Sequence, residues 1–241
     1  MAQVLLRARS DHRDGAARPG CSRHRSRLSA AAAGEGPAAA KAASFAGDGG
    51  WDGLLSVTTA VSSAAGLLAF GVVYAWSFGR EFSQGTITGL FALPTTRTMI
   101  AGAKLIVLCL WLIAATAILT GVTALLGRVL GYVPTAGSFA LVAKLAATTL
   151  LTGALAVVCG LIASICRSML AGMGSEIVIL VLAQVSVLVG VGGWFPFAAP
   201  GLWAASNFVG SGVLGIQLAV LLATTVLAVW GTVLFWWRLR L

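Results

Sequence analysis

The chain has 241 residues, 59% of them hydrophobic and only 10% charged, and its mean hydropathy of +0.95 lies far above that of a domain whose surface must be solvated. A formal net charge of +9 would suit a nucleic-acid binder, but half the basic residues precede residue 42 and the other half sit at or near ends of apolar runs, where cations face a membrane surface. The composition therefore excludes a water-soluble domain, and runs that do not alternate polar with apolar exclude barrel strands, leaving an all-α integral membrane protein.

Residues 1–50 contain Arg7, Arg9, Arg13, Arg18, Arg23, Arg25 and Arg27, followed by an alanine and glycine run, with no apolar stretch long enough to span. Five spans are predicted after them, at 54–78, 99–127, 138–165, 177–195 and 213–237, so that 51–241 forms a transmembrane domain. The connections holding Arg80 and Arg97 (with Lys104 just beyond) and Arg167, and the C-terminus with Arg238 and Arg240, are cytoplasmic by the positive-inside rule. Arg128 and Lys144 fall on the opposite side. Trp51, Trp194 and Trp203 mark the outer ends of an interfacial belt, and Trp76, Trp236 and Trp237 the inner ends. Small residues at four-residue spacing, Ser62 with Gly66 and Ala65 with Ala69, would let helices approach closely.

Five spans with the C-terminus inside place the arginine-rich start outside, against the rule that orients everything else. An altered reading frame or misassigned start over residues 1 to about 35 accounts for this, because Arg, Ala, Gly and Pro dominate GC-rich frames; a divergent tail or a transit peptide are the alternatives.

The stretch GREFSQGTITGLFALPTTR, residues 79–97, stands between the first two spans. Arg80, Glu81 and Phe82 open it; Ile87, Leu90 and Phe91 share one face of a short interfacial helix; Gly85 and Gly89 allow another backbone to come close; Pro94 ends the helix. Thr95 or Thr96 is placed to cap the next span, with Arg97 at the surface. A segment of this kind lies on the membrane and can be gripped by a soluble partner.

Extended to Val107, the string GREFSQGTITGLFALPTTRTMIAGAKLIV resembles the cytoplasmic segment of ABC type-2 membrane permeases, near those of bacitracin and lantibiotic resistance or immunity. The matching positions are Glu81, Gly85, Thr86, Leu90, Pro94, Thr96, Arg97 and Lys104. The resemblance runs in span order over 37–241, taking in GPAAAKAASFAGDGGWDGLL and, in the outer connection, WFPFAAPGLWA. It implies a permease subunit of an ATP-driven exporter of hydrophobic or amphipathic cargo, such as an antimicrobial peptide or drug. It also implies a coupling helix that docks in a separate ABC-type ATP-binding subunit through Arg80, Glu81, Phe82, Gly85, Thr86, Leu90, Pro94 and Arg97. Pairing with a second copy or a related permease follows, as does a bacterial plasma (inner) membrane location with the C-terminus cytoplasmic. Family permeases usually have six spans; here the first is missing, where the charge rule also fails. A non-transporting scaffold that recruits a cytoplasmic protein through the same segment, and a non-functional permease remnant, are the alternatives.

Outside that string the residues favour structural readings. Lys104 and Lys144 lie close enough to span ends to snorkel, Gln184 lies deep in the fourth span, and Glu176 opens that span where the helix dipole favours a negative charge. Gly190, Gly192 and Gly193 fall within the same apolar run. Cys21 and His24, with His12 upstream, have metal-like spacing but no second ligand pair follows, so no metal or cofactor is expected. No phosphate loop or catalytic set can be assembled, and the chain is read as a non-enzyme whose ATP hydrolysis belongs to a partner.

Overall fold

The computed structural model describes residues 50–85, 96–134, 137–205 and 212–238, with side chains from 215 onward in the last stretch, all within one compact unit. In chain order the helices are α1 (Gly50–Ser83), α2 (Arg97–Val129), α3 (Ser138–Leu155), α4 (Val157–Ile165), α5 (Met169–Leu188), a 3-10 turn (Gly192–Trp194), α6 (Ala199–Ala205) and α7 (Gly212–Arg238). The described residues contain no strand, and α3 with α4 makes one span, so that five helical stretches are long and apolar enough to cross a membrane. The arginine-rich start and the expected coupling helix, with Thr86, Ile87, Leu90, Phe91 and Pro94, lie outside the described residues.

α1 is the central helix, packed along its length on α3, α4 and α5, while α2 and α7 close the bundle from the other side. Its 34 residues reach about 50 Å, against about 30 Å of hydrocarbon, so it is longer than a membrane crossing needs. The sequence places its end near residue 78; the helix instead continues through Arg80, Glu81 and Phe82 to Ser83. Gln84 still donates back to the Arg80 carbonyl, and Gly85, with φ 68°, supplies the left-handed residue that ends the helix.

The ends of the spans are closed by local hydrogen bonds. At the C-terminal end of α2, Tyr132 N–H returns to the Gly127 carbonyl across Gly131, whose φ of 76° suits a residue without Cβ. At the turn from α4 to α5, Ser168 N–H returns to the Ala163 carbonyl, and Ser168 Oγ then caps α5 by accepting from Ala171 N–H. Arg167, between them, takes φ 50°, a conformation that strains a residue with a side chain. Within α3, Thr149 and Thr152 bond back to the carbonyls of Leu145 and Thr148, a pattern that bends helices, and the helix breaks at Ala156 just beyond.

Close approach comes from positions other than those the spacing indicates. Ala65 and Ala69 are exposed, and a Cβ at Gly66 would make only ordinary contacts. The tight crossings lie at Gly79 on the Met169 backbone, Gly127 on the Trp51 ring, Gly153 on Leu112, Gly160 on Phe78 and Gly172 on Ala75 and Ala163. The tryptophan belt is also corrected: Trp76, Trp194 and Trp237 are exposed, but Trp51 and Trp236 are buried core residues that join helices.

The fourth span is α5, Met169–Leu188, not 177–195. The expected connection between residues 165 and 177 is helical from Met169 onward, and Gly172 within it allows α5 to lie on α1 and α4. Gly190 ends this helix with φ 85°, and Gly192 and Gly193 belong to the 3-10 turn. Gln184 is exposed near the outer end rather than deep in the bundle.

Candidate functional site at the inner end of the bundle

All five spans meet in one cluster at the end of the bundle that carries Arg80 and Arg238. Glu81, in the last turn of α1, pairs through Oε1 with Lys104 Nζ of α2 at 2.6 Å, and Lys104 Nζ also donates to the Ser77 carbonyl at 2.7 Å. The two side chains are only 12% and 16% exposed, so the pair is shielded from the solvent that makes surface pairs weak. Glu81 is therefore neither a free surface carboxylate nor one turned wholly toward a partner. Its Oε2 is buried with no hydrogen-bond partner among the described residues.

Aromatic rings complete the surroundings of the ammonium group. Lys104 Nζ stands 5.3 Å from the Phe78 ring centre and 5.2 Å from that of Trp236, within the range of cation–π attraction. Trp236 is fully buried, meets Phe78 and Phe82 edge-on at 6.1 and 5.9 Å, and donates from Nε1 to Ser164 Oγ. Ser164 Oγ donates to the Gly160 carbonyl, and Met169 N–H, at the start of α5, donates to Ser83 Oγ. Through these contacts α1 is tied to α2, α4, α5 and α7 within the last turns before residues 86–95.

The expected docking residues thus divide. Glu81 and Phe82 turn into the bundle, while Arg80 is exposed and lies over the Trp76 ring at 4.4 Å. Gly85 ends α1, and Arg97 is half-buried as the first residue of α2. Thr96 takes the extended N-cap position, but its hydroxyl meets Thr98 Oγ and caps no backbone N–H. Sequence reasoning gave Lys104 a place in the string without a role, and missed Phe78, Trp236 and Ser164. The long separation between residue 81 and residue 236 left no local signal; the one available hint was a tryptophan beside the C-terminal basic residues.

The basic residues at the span ends fall mainly at one end of the bundle. The contacts from Ser83 to Met169 and from Phe82 and Ser164 to Trp236 bring the Arg80, Arg97, Arg167 and Arg238 ends together, whereas Arg128 lies at the opposite end with Trp51 and Gly127. Lys144 is buried in α3, two turns in from that opposite end.

Glu176 differs most from its expected place. Helix α5 starts at Met169, so this carboxyl stands about two turns inside it, beyond the first turn where the helix dipole acts. It is 1% exposed and lies against Gly71 of α1.

An all-α bundle with five membrane-crossing stretches and a polar joint at one end defines a multi-pass membrane protein. The family model described as ABC-2 family transporter protein matches residues 30–183, well over half the chain, and the chain belongs to that family. It is thus an ABC-type permease, and membership implies, in general, an ABC ATP-binding subunit as partner. No curated protein and no solved structure matches it.

Proposed function

We propose that this permease works as the membrane subunit of an ATP-driven exporter, and that residues 79–97 form its contact with the ATP-binding subunit. In this reading Arg80, Gly85, Thr86, Leu90, Pro94 and Arg97 meet the partner, while Glu81 and Phe82 pass the movement inward. The observation that carries it is the Glu81–Lys104–Trp236 joint: a segment leaving α1 and returning as α2 is clamped at both ends to the last span. A pull on such a clamped segment moves α1, α2 and α7 together, which a loosely tethered loop cannot do. ATP drives that movement by binding one arrangement of the bundle better than the other. Hydrophobic or amphipathic molecules fit as cargo, because the spans offer apolar walls and few charges. The arginine-rich end faces the cytoplasm of a bacterial cell by the positive-inside rule, with the C-terminus on that side, and a second copy or a related permease completes the pathway.

The test is co-purification from membranes with a co-expressed ABC-type ATP-binding subunit. Glu81→Lys should lose the partner, because two cations then face each other. Adding Lys104→Glu, which restores the pair with reversed order, should recover it. A folded double variant that still fails to bind would mean that the partner reads the Glu81 carboxylate directly. Undiminished binding by Glu81→Lys alone would remove the joint from the docking account.

A further inference from the structure

Glu176 is a buried carboxyl with no cation beside it among the described residues. Neither of its oxygens has a hydrogen-bond partner among the described residues, and its carboxyl fills the notch left by the missing side chain of Gly71, where an added Cβ would overlap it. The Gly71 amide lies within a continuous helix and is bonded inside it. The elements packed on α5 are α1, α4 and the 3-10 turn. From α4 the only titratable group is Cys159, buried and packed against Gly172 of α5. The 3-10 turn contributes none. On α1 the titratable groups are Asp52, Tyr74, Arg80 and Glu81. Asp52 is near the far end of the helix, Arg80 and Glu81 stand at least about 13 Å along it from Gly71, and Tyr74 is packed in the core with Phe70 and Phe78. No cation among these can compensate an ionised Glu176.

A buried charge without a partner is not tolerated, and an ionisable group inside a membrane bundle marks a functional position. The described residues contain no cluster of side chains that could hold a metal ion beside the carboxyl. A proton neutralises it without any further ligand.

We propose that Glu176 is a proton-binding site that locks the seam between α1 and α5. With the proton bound, the neutral carboxyl packs against Gly71 and the seam is shut. When the proton leaves to water, the carboxylate remains, requires solvation, and the seam parts. Small residues line part of the seam, with Gly172 set against Ala75 and Ala163. Proton loss and seam opening are then the same equilibrium: any process that opens the seam also releases the proton. Because α1 carries both Gly71 and Glu81, movement started at the inner joint reaches this seam along one helix. The proton site itself does not depend on the docking assignment.

The test uses the full chain in lipid nanodiscs without any partner. Infrared difference spectroscopy at neutral pH should show a protonated-carboxyl band in the wild-type chain that Glu176→Gln removes. Gly71→Ala keeps every carboxyl but fills the notch, and should weaken the same band. Alkylation at Cys159, read by peptide mass spectrometry relative to exposed Cys166, should rise with pH more in the wild-type chain than in Glu176→Gln. Absence of the band in the wild-type chain would overturn the proposal, whether or not the variants fold. A band unchanged by both substitutions would also overturn it, and equal Cys159 protection in wild type and Glu176→Gln at every pH would remove the lock.

Discussion

Lys104 of α2 and Glu81 of α1 close an ion pair of 2.6 Å at the mouth of the segment whose two ends they hold together. The pair is roofed by Phe78 and Trp236, so a surface-like sequence pattern becomes a shielded internal contact. Removing one partner leaves the other charge buried. Lys104→Met should therefore lower stability by about 3–5 kcal/mol, and Glu81→Gln added to it should restore much of the loss. Thermal unfolding of the purified chain in one detergent compares the four proteins of that cycle. A loss in the double variant equal to the sum of the two single losses would show that the charges do not interact.

Trp236 contributes both packing and a hydrogen bond to Ser164. Trp236→Phe keeps most of the ring contacts and should cost about 1 kcal/mol for the lost N–H donor and the smaller ring. Trp236→Ala should cost about 3–5 kcal/mol by opening a cavity between α1, α4 and α7. The same unfolding assay orders the two.

Two glycines should respond in opposite directions to alanine. A Cβ at Gly79 would stand 2.6 Å from Met169 Cα, which is backbone and cannot rotate away, so Gly79→Ala should destabilise by about 1–3 kcal/mol. At Gly102, inside α2, an added Cβ meets nothing within 4 Å, and Gly102→Ala should be neutral or stabilise by up to about 1 kcal/mol. Comparing the unfolding midpoints of the two variants checks the crossing of α1 with α5.

Arg167 adopts a left-handed conformation with φ 50° in the tight turn between α4 and α5. Arg167→Gly should raise stability by about 1 kcal/mol by relieving that strain, in the same assay. A loss of stability would show that the arginine side chain contributes more than its backbone costs.

The fold class and five spans are legible in the sequence because long apolar runs have one interpretation in a chain this poor in charge. The ends are not. Arg80 and Glu81 look like the start of a loop, but Glu81 is neutralised by Lys104, twenty-three positions on, and the helix can therefore continue through it. Gly172, Gly174 and Ser175 look like a loop for the opposite reason: small residues at a helix crossing have the composition of a turn. That misreading moved the helix start toward Glu176 and turned a buried carboxyl into an end cap. The docking string was found from its pattern, but the joint that supports it depends on Trp236, which no local pattern connects to residue 81.

ATP-dependent movement of an amphipathic fluorescent probe in membrane vesicles carrying this chain and a co-expressed ABC-type ATP-binding subunit tests the central claim most directly. The account predicts movement that requires ATP hydrolysis and is lost, with the chain still folded, when Glu81→Ala and Lys104→Ala uncouple the joint. Binding of the partner that is indifferent to nucleotide, with no movement of probe in the unaltered pair, would contradict it and point to a scaffold instead.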